Sequence, residues 1–327
     1  MHSSDLPQWY GEYAHLSDEG TTRRLTYEYA DGAATCTDIA LFAGIHLGLM
    51  DVGASEGYSV TPLRHDVLEI VHCRRGRFEC ELARDACVCI AEGDFAVTST
   101  AHIPARVRYF FPFNSFCGTC IVIDFATLSN ETCRLLAAFS IDLERLQENL
   151  GLKNRWFVGT CTGEIERSFA RLYEGLHTDD RGALRLTVLE TLLLIERFNA
   201  GGERRAVYHS DSRARTVRLM RNELITNLGE RVALADLARR HGISLTLFQN
   251  TFKDIYGLTP YLYLKHYKMH QAASRLLAKT ESVAQIAQSL GYRNASKFAN
   301  AFREVLGTTP LEYRAANSLS VRSRSSF

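Results

Sequence analysis

Residues 230–315 of this 327-residue chain contain one pattern twice. The first copy reads Leu237-Ala238, Gly242, Phe248, Phe252, Gly257, Thr259-Pro260, Tyr263. The second reads Ile286-Ala287, Gly291, Phe298, Phe302, Gly307, Thr309-Pro310, Tyr313. The offset is 49 residues up to the first Gly and 50 after it, so one inserted residue accounts for the step. Such self-similarity restricts this part of the chain to two copies of one supersecondary unit. Each copy predicts a short amphipathic helix (234–240 and 283–290) closed by a Gly, which tolerates a left-handed C-cap. A second helix follows, capped by Ser244 or Asn294. In it Phe248/Phe252 and Phe298/Phe302 stand four apart and share one buried face. Gly257 and Gly307 end these helices, and Thr-Pro then supplies an N-cap and a first-turn Pro. Thr309 with Glu312 and Ser282 with Gln285 have capping-box spacing. Helix, Gly turn, helix with a buried aromatic face is the helix-turn-helix arrangement. Between the copies, residues 260–278 predict a connecting helix of ~28 Å. That is close to the ~34 Å of one DNA turn, so two such units can enter successive major grooves.

Net charge argues the other way until it is divided. The chain has 38 Lys+Arg and 37 Asp+Glu, a total of +1. Residues 210–327 carry 18 Lys+Arg against 8 Asp+Glu, a balance of +10, which leaves −9 on residues 1–209. A basic module is the electrostatic footprint of phosphate binding. An all-helical interaction domain would use the same caps, but the basic charge together with the paired turns favours double-stranded DNA. All nine cysteines lie before residue 162, and residues 201–215 are polar and read as a linker. The expected division is a sensing and dimerisation domain over 1–205 and a DNA-binding domain over 206–327, with its core at 213–316. In the first domain, a β part over about 36–126 precedes helices over about 127–200.

The run Ile286-Ala287-Gln-Ser-Leu-Gly291-Tyr292-Arg-Asn-Ala-Ser-Lys-Phe298-Ala-Asn-Ala-Phe302-Arg-Glu-Val-Leu-Gly307-Thr-Thr-Pro310-Leu-Glu-Tyr313-Arg314 resembles the signature of AraC/XylS-type transcription regulators. The resemblance covers residues 213–316, about a third of the chain; the family's usual Gly-Phe is Gly291-Tyr292 here. It implies seven helices with two helix-turn-helix units on a long connector. It also implies a non-enzymatic regulator, an activator or a repressor.

With the Phe faces inward, Thr246, Gln249 and Asn250 point outward on the first recognition helix. Ser296, Lys297 and Asn300 do so on the second. Gln and Asn can bond adenine edges bidentately and Thr can meet a thymine methyl. The resemblance implies that these positions read bases. Lys253, Lys265, Lys268, Arg293 and Arg303 are expected on phosphates, which position the protein without specifying sequence.

The acidic half reads as short strands: 39–50, 67–73, 78–82, 87–90, 95–98, 106–111 and 119–125. In one of them Phe78, Cys80 and Leu82 alternate with Arg77, Glu79 and Glu81, the pattern of a half-solvated strand. Arg75-Gly76 and Glu92-Gly93-Asp94 are turn signals. Many closely spaced strands suggest a small barrel, and helices are expected over 130–149, 163–177 and 182–199. The last is apolar around most of its circumference, which predicts burial within the domain or a homodimer contact.

Many regulators that this chain resembles carry a cupin-like barrel that holds an effector. His65, Glu69 and Gly76 keep the cupin spacing His-x3-Glu-x6-Gly, while Leu63 stands where metal cupins have another His. Gly93-Asp94 and His102 are similar to the second cupin motif. His65, Glu69 and His102 are therefore the expected effector-pocket residues. With the second His missing, a barrel without metal or other cofactor is favoured over a cupin-type metalloenzyme with an accessory helical domain.

Cys117-x2-Cys120 has redox-motif spacing, but residues three apart on a strand face opposite ways, so structural thiols are expected. No segment approaches the ~20 apolar residues of a membrane helix, and Met1–Glu12 lacks the apolar run of a secretory signal. No membrane partner and a cytoplasmic location are expected. The whole reads as a sequence-specific regulator governed by a small-molecule effector of unknown identity.

Overall fold

The computed structural model describes residues 15–19, 22–29, 32–54, 56–60, 66–82, 87–99, 107–152, 156–178, 180–198, 212–230, 232–278 and 280–316. The chain forms two compact units, Met1–His209 and Ser210–Phe327. The expected linker lies outside the described residues up to 211, and its last residues, from Ser212, are already helical. No described helix is long and apolar enough to cross a membrane.

The first unit contains β1 (His15–Glu19), β2 (Thr22–Tyr29), β3 (Gly32–Phe42), β4 (Ile45–Val52), β5 (Glu56–Val60), β6 (Val67–Leu82), β7 (Cys87–Ala91), β8 (Asp94–Ser99), β9 (Val107–Phe110) and β10 (Phe116–Asp124). Then follow α1 (Asn130–Ala138), α2 (Leu143–Leu150), β11 (Phe157–Thr160), α3 (Gly163–Thr178) and α4 (Arg181–Glu196). The main strand order is β1-β2-β3-β4-β10-β6-β8-β11, with β5, β9 and β7 reached through β6. All pairings are antiparallel. Among the described residues the path does not close on itself, so the structure is an antiparallel sheet assembly rather than the closed cupin-like barrel expected.

Several strand expectations change. The expected strand 39–50 is a hairpin, β3 and β4 turning at Ala43-Gly44. Arg75-Gly76 is no turn: β6 runs through it for 16 residues. A register shift opposite Cys117/Gly118 marks a bulge there. Bulges bend strands, and beyond this one β6 pairs with β7 and β9 instead of β8.

Two cores follow from the two-residue period of β6. Leu68 and Ile70 join β3, β4, β8 and β10 residues under the four helices. Val71 and Cys73 pack on the other side with Phe78, Tyr109, Phe116 and Trp156. Arg77 and Glu79, expected in solvent, are each 2% exposed. They are buried as an ion pair, Nε to Oε1 at 2.7 Å.

The expected helix 130–149 is two helices. Ser140 takes a positive φ of 59°, and Asp142 caps α2 by accepting from the Arg145 amide. Leu184, Val188, Leu192 and Ile195 of α4 are fully buried inside this unit. The apolar circumference of α4 is thus largely consumed within its own domain, although Leu186 remains 66% exposed.

The second unit contains α5 (Ser212–Thr226), α6 (Leu234–Arg240), α7 (Leu245–Tyr256), α8 (Pro260–Ala278), α9 (Val283–Ser289) and α10 (Ala295–Leu306). Residues 310–316 form a seventh helical stretch. The duplication is literal. Both α6 and α9 have seven residues, and both α7 and α10 have twelve. Both turns are Schellman motifs: Ile243 N–H donates to the Ala238 carbonyl and Tyr292 N–H to that of Ala287. Ser244 and Asn294 cap the second helices, and the Ser282/Gln285 capping box is complete.

Phe248, Phe252, Phe298 and Phe302 are all 0% exposed. Phe252 meets Tyr256 and Tyr263, and Phe302 meets Tyr313 edge-on at 5.6 Å. Burial of such rings is what fixes the roll of α7 and α10.

Candidate functional site

With that roll fixed, the opposite faces of α7 and α10 are set. Thr246, Gln249, Asn250 and Lys253 are exposed on α7, and Ser296, Lys297 and Asn300 are exposed on α10. Their placement rests on caps at the helix starts: the Ser244 hydroxyl accepts from Leu247 N–H at 3.1 Å, and Asn294 Oδ1 from Lys297 N–H at 3.1 Å. Both α7 and α10 therefore offer polar side chains near their N-terminal ends. Arg293 and Arg303 are likewise exposed beside α10.

The remaining two basic residues lie differently. Lys265 is 13% exposed along its side chain and pairs with Glu304 at 2.5 Å. Lys268 donates to the Leu290 carbonyl at 2.9 Å, and burial pulls its amine below the usual range. Both tie α8 to the second helix-turn-helix unit, because α8 crosses the α9–α10 pair. Arg221 ties α5 to α8, donating to Tyr263 Oη at 3.0 and 2.8 Å. The α6 end is held by Glu223, which accepts from His241 and Arg240.

In the first unit a cavity of about 590 Å³ of atom-free space, partly open to solvent, lies against the second core. Its walls include Glu69, Val71, Phe78, Tyr109, Phe116, Cys120 and Trp156. Burial raises the Glu69 carboxyl, and the Cys120 thiol donates to it at 3.4 Å, which partly opposes that rise. The Trp156 indole N–H is buried with no partner among the described residues. The pocket is thus apolar with a carboxyl and an unspent donor.

Of the three expected effector residues, Glu69 lines this cavity, while His65 and His102 lie outside the described residues. Tyr109 belongs to the expected strand 106–111 but is not among the expected pocket residues, and Trp156 lies outside every expected element. Trp156 is one of only two tryptophans in the chain, and that rarity was the available signal.

Seven of the nine cysteines are buried. Burial pushes the Cys73, Cys117, Cys120 and Cys161 thiols up, away from reactive thiolate character.

A family model described as a helix-turn-helix domain matches residues 237–316. The HTH-type transcriptional activator RhaR of Mannheimia succiniciproducens is 32% identical over 89 residues, covering 27% of this chain and 32% of that protein. A putative AraC-like transcription regulator of Streptomyces lividans is 36% identical over 81 residues, covering 25% and 27%. The chain therefore spans about a third of the length of these curated relatives. Among solved structures, the DNA-binding domain of AdpA in complex with a target DNA is 28% identical, covers 31% of this chain and 91% of that one, and has a TM-score of 0.30.

Proposed function

We propose that this chain, whose residues 237–316 form an AraC/XylS-type helix-turn-helix domain, is a sequence-specific DNA-binding transcription regulator. One observation carries the reading. Two copies of the same helix pair each bury a Phe face and leave Thr246, Gln249 and Asn250, or Ser296, Lys297 and Asn300, in solvent. These six side chains read base edges, while Lys253, Arg293 and Arg303 hold phosphates. Lys265 and Lys268 serve first as internal struts. The test is a gel-shift titration of the full chain and Gln249→Ala on operator and scrambled duplexes. The variant is expected to lose ~1–3 kcal/mol of discrimination. Equal loss on both duplexes would remove Gln249 from base reading.

The first unit is read as the sensing domain, and its effector as a small molecule with an apolar body. Such a ligand fits a pocket walled by Phe78, Tyr109, Phe116 and Trp156 with a polar contact at Glu69. An effector acts only through unequal affinity for two states of the protein. A thermal-shift screen on the full chain identifies it, since a ligand stabilises by an amount set by its concentration over Kd. A true effector must lose its shift in Trp156→Ala and must change operator affinity in the parent chain. A homodimer is the working assembly, with sedimentation equilibrium as its check. A cytoplasmic, non-enzymatic role follows from the regulator reading.

A further inference from the structure

We propose that His72, Cys161 and Glu166 form a binding site for a thiophilic divalent transition metal, with Zn²⁺ as the reference ion. None of these three residues lines the cavity. On β6, His72 shares its face with Leu68 and Ile70, opposite to Glu69 and Val71, and so lies on the helix side of the sheet. Its ring stacks on Phe169 of α3, with centroids 4.4 Å apart and planes 7° from parallel. His72 is 3% exposed, yet its Nε2 has no hydrogen-bond partner among the described residues. A buried polar atom left unpaired carries a substantial desolvation cost, so this orientation needs a compensating ligand.

Two further donors lie beside the His72 ring. Cys161 directly follows β11, anchored by its amide donating to the Gly93 carbonyl at 2.7 Å. Glu166 sits in the first turn of α3, one turn before the stacking Phe169. The three donor atoms all lie within 4.8 Å of one another. A tetrahedral zinc with Zn–S near 2.3 Å and Zn–N near 2.0 Å needs donors about 3.5 Å apart. Glu166 is exposed and can close the difference by rotation.

Binding of a cation to Cys161 displaces the thiol proton to solvent.

Thiolate and imidazole select zinc-like ions over Mg²⁺ or Ca²⁺. Three protein ligands leave a fourth position for water. Thr119 is the cross-strand partner of His72, so it points to the same face, and its Oγ1 is also buried without a partner among the described residues. It supplies an acceptor for that water.

The test uses the full chain, stripped with chelator and titrated with Co²⁺, then Zn²⁺ in competition. Expected are one tight equivalent and a thiolate-to-cobalt charge-transfer band that disappears in Cys161→Ser. In Glu166→Ala, a surface change that leaves the core intact, affinity falls at least about tenfold. Zinc should raise the unfolding temperature of the parent chain and not of Cys161→Ser. Absence of binding at micromolar metal overturns the proposal. Undiminished binding in Glu166→Ala does so too, as it would place the ion on other thiols.

Discussion

The duplicated helix pair contains an internal control for its own turn chemistry. Gly242 and Gly291 close α6 and α9 in the same Schellman geometry, with φ of +70° and +82°. Replacing either by Ala incurs the left-handed penalty of roughly 1–2 kcal/mol. Their surroundings differ. A Cβ on Gly242 meets nothing within 4 Å, whereas one on Gly291 meets the Gly229 carbonyl oxygen at 2.9 Å and that of Leu228 at 3.3 Å. Those atoms are backbone and cannot rotate away, so an overpacking cost of about 1–3 kcal/mol is added. Gly242→Ala should therefore cost ~1–2 kcal/mol and Gly291→Ala ~2–5. Against the roughly 5–15 kcal/mol of a domain this size, the second change endangers folding and the first does not. Urea unfolding of residues 210–327, followed by far-ultraviolet circular dichroism, reads the difference as a midpoint gap of about 1 M at an m-value of ~1–2 kcal/mol/M. Equal midpoints for the two variants would refute the reasoning. They would mean that the 228–229 segment moves freely and that the two helix-turn-helix units are less firmly joined than the packing implies.

Other consequences are open to measurement. Lys253→Ala should weaken binding alike on operator and scrambled DNA and lower the salt slope by about 0.9; a change in discrimination would count against a phosphate role. Lys265→Ala and Lys268→Ala should leave that slope unchanged and lower the urea midpoint; the reverse pattern would return them to the phosphates. Arg221→Met leaves the Tyr263 hydroxyl without its buried donors, and should cost about 1.5–3 kcal/mol by urea unfolding, with a loss below ~0.5 speaking against it. Burial, then the charge of His266, pulls His270 down to about 4 from 6.5. Its folded-state pKa is below the unfolded one, so protonation favours unfolding: stability holds above pH 6.5 and is lost as pH falls towards about 4. His270→Gln should flatten that slope for residues 210–327, and an unaltered slope would exonerate the histidine.

Legibility in the sequence divides along the range of the interactions. Caps, Gly turns and Phe pairs act over four residues or fewer, and Ser244, Asn294, Gly242 and Gly291 could be assigned before any coordinates were known. Strands β8 and β10 were legible as apolar runs, but which way their side chains face was not, because these strands are covered on both sides. All six residues of β8 are buried, as are eight of the nine in β10, so the alternation that marks a half-solvated strand is missing. Where alternation did show, in Phe78 to Leu82, it misled: the polar positions Arg77 and Glu79 satisfy each other inside the protein. The bulge that carries β6 past Gly76 depends on Cys117 and Gly118, some forty residues away.

The same distinction explains the interface. Outward positions on α7 and α10 follow from the Phe positions on those same helices, so Gln249 and Asn300 could be placed from local spacing. Residues on α8 could not, because the connector touches α5, α7, α9 and α10, and its polar groups are claimed by partners distant in sequence. Lys265 is taken by Glu304, Lys268 by the Leu290 carbonyl and Tyr263 by Arg221. A connector must be stiff for two recognition helices to keep a fixed spacing, and those cross-links are what stiffen it. A lysine so engaged has to break its internal contact before it can reach a phosphate. On the proposed DNA-binding reading, rigidity and phosphate binding would compete for the same side chains on α8, whereas the exposed faces of α7 and α10 would face no such conflict.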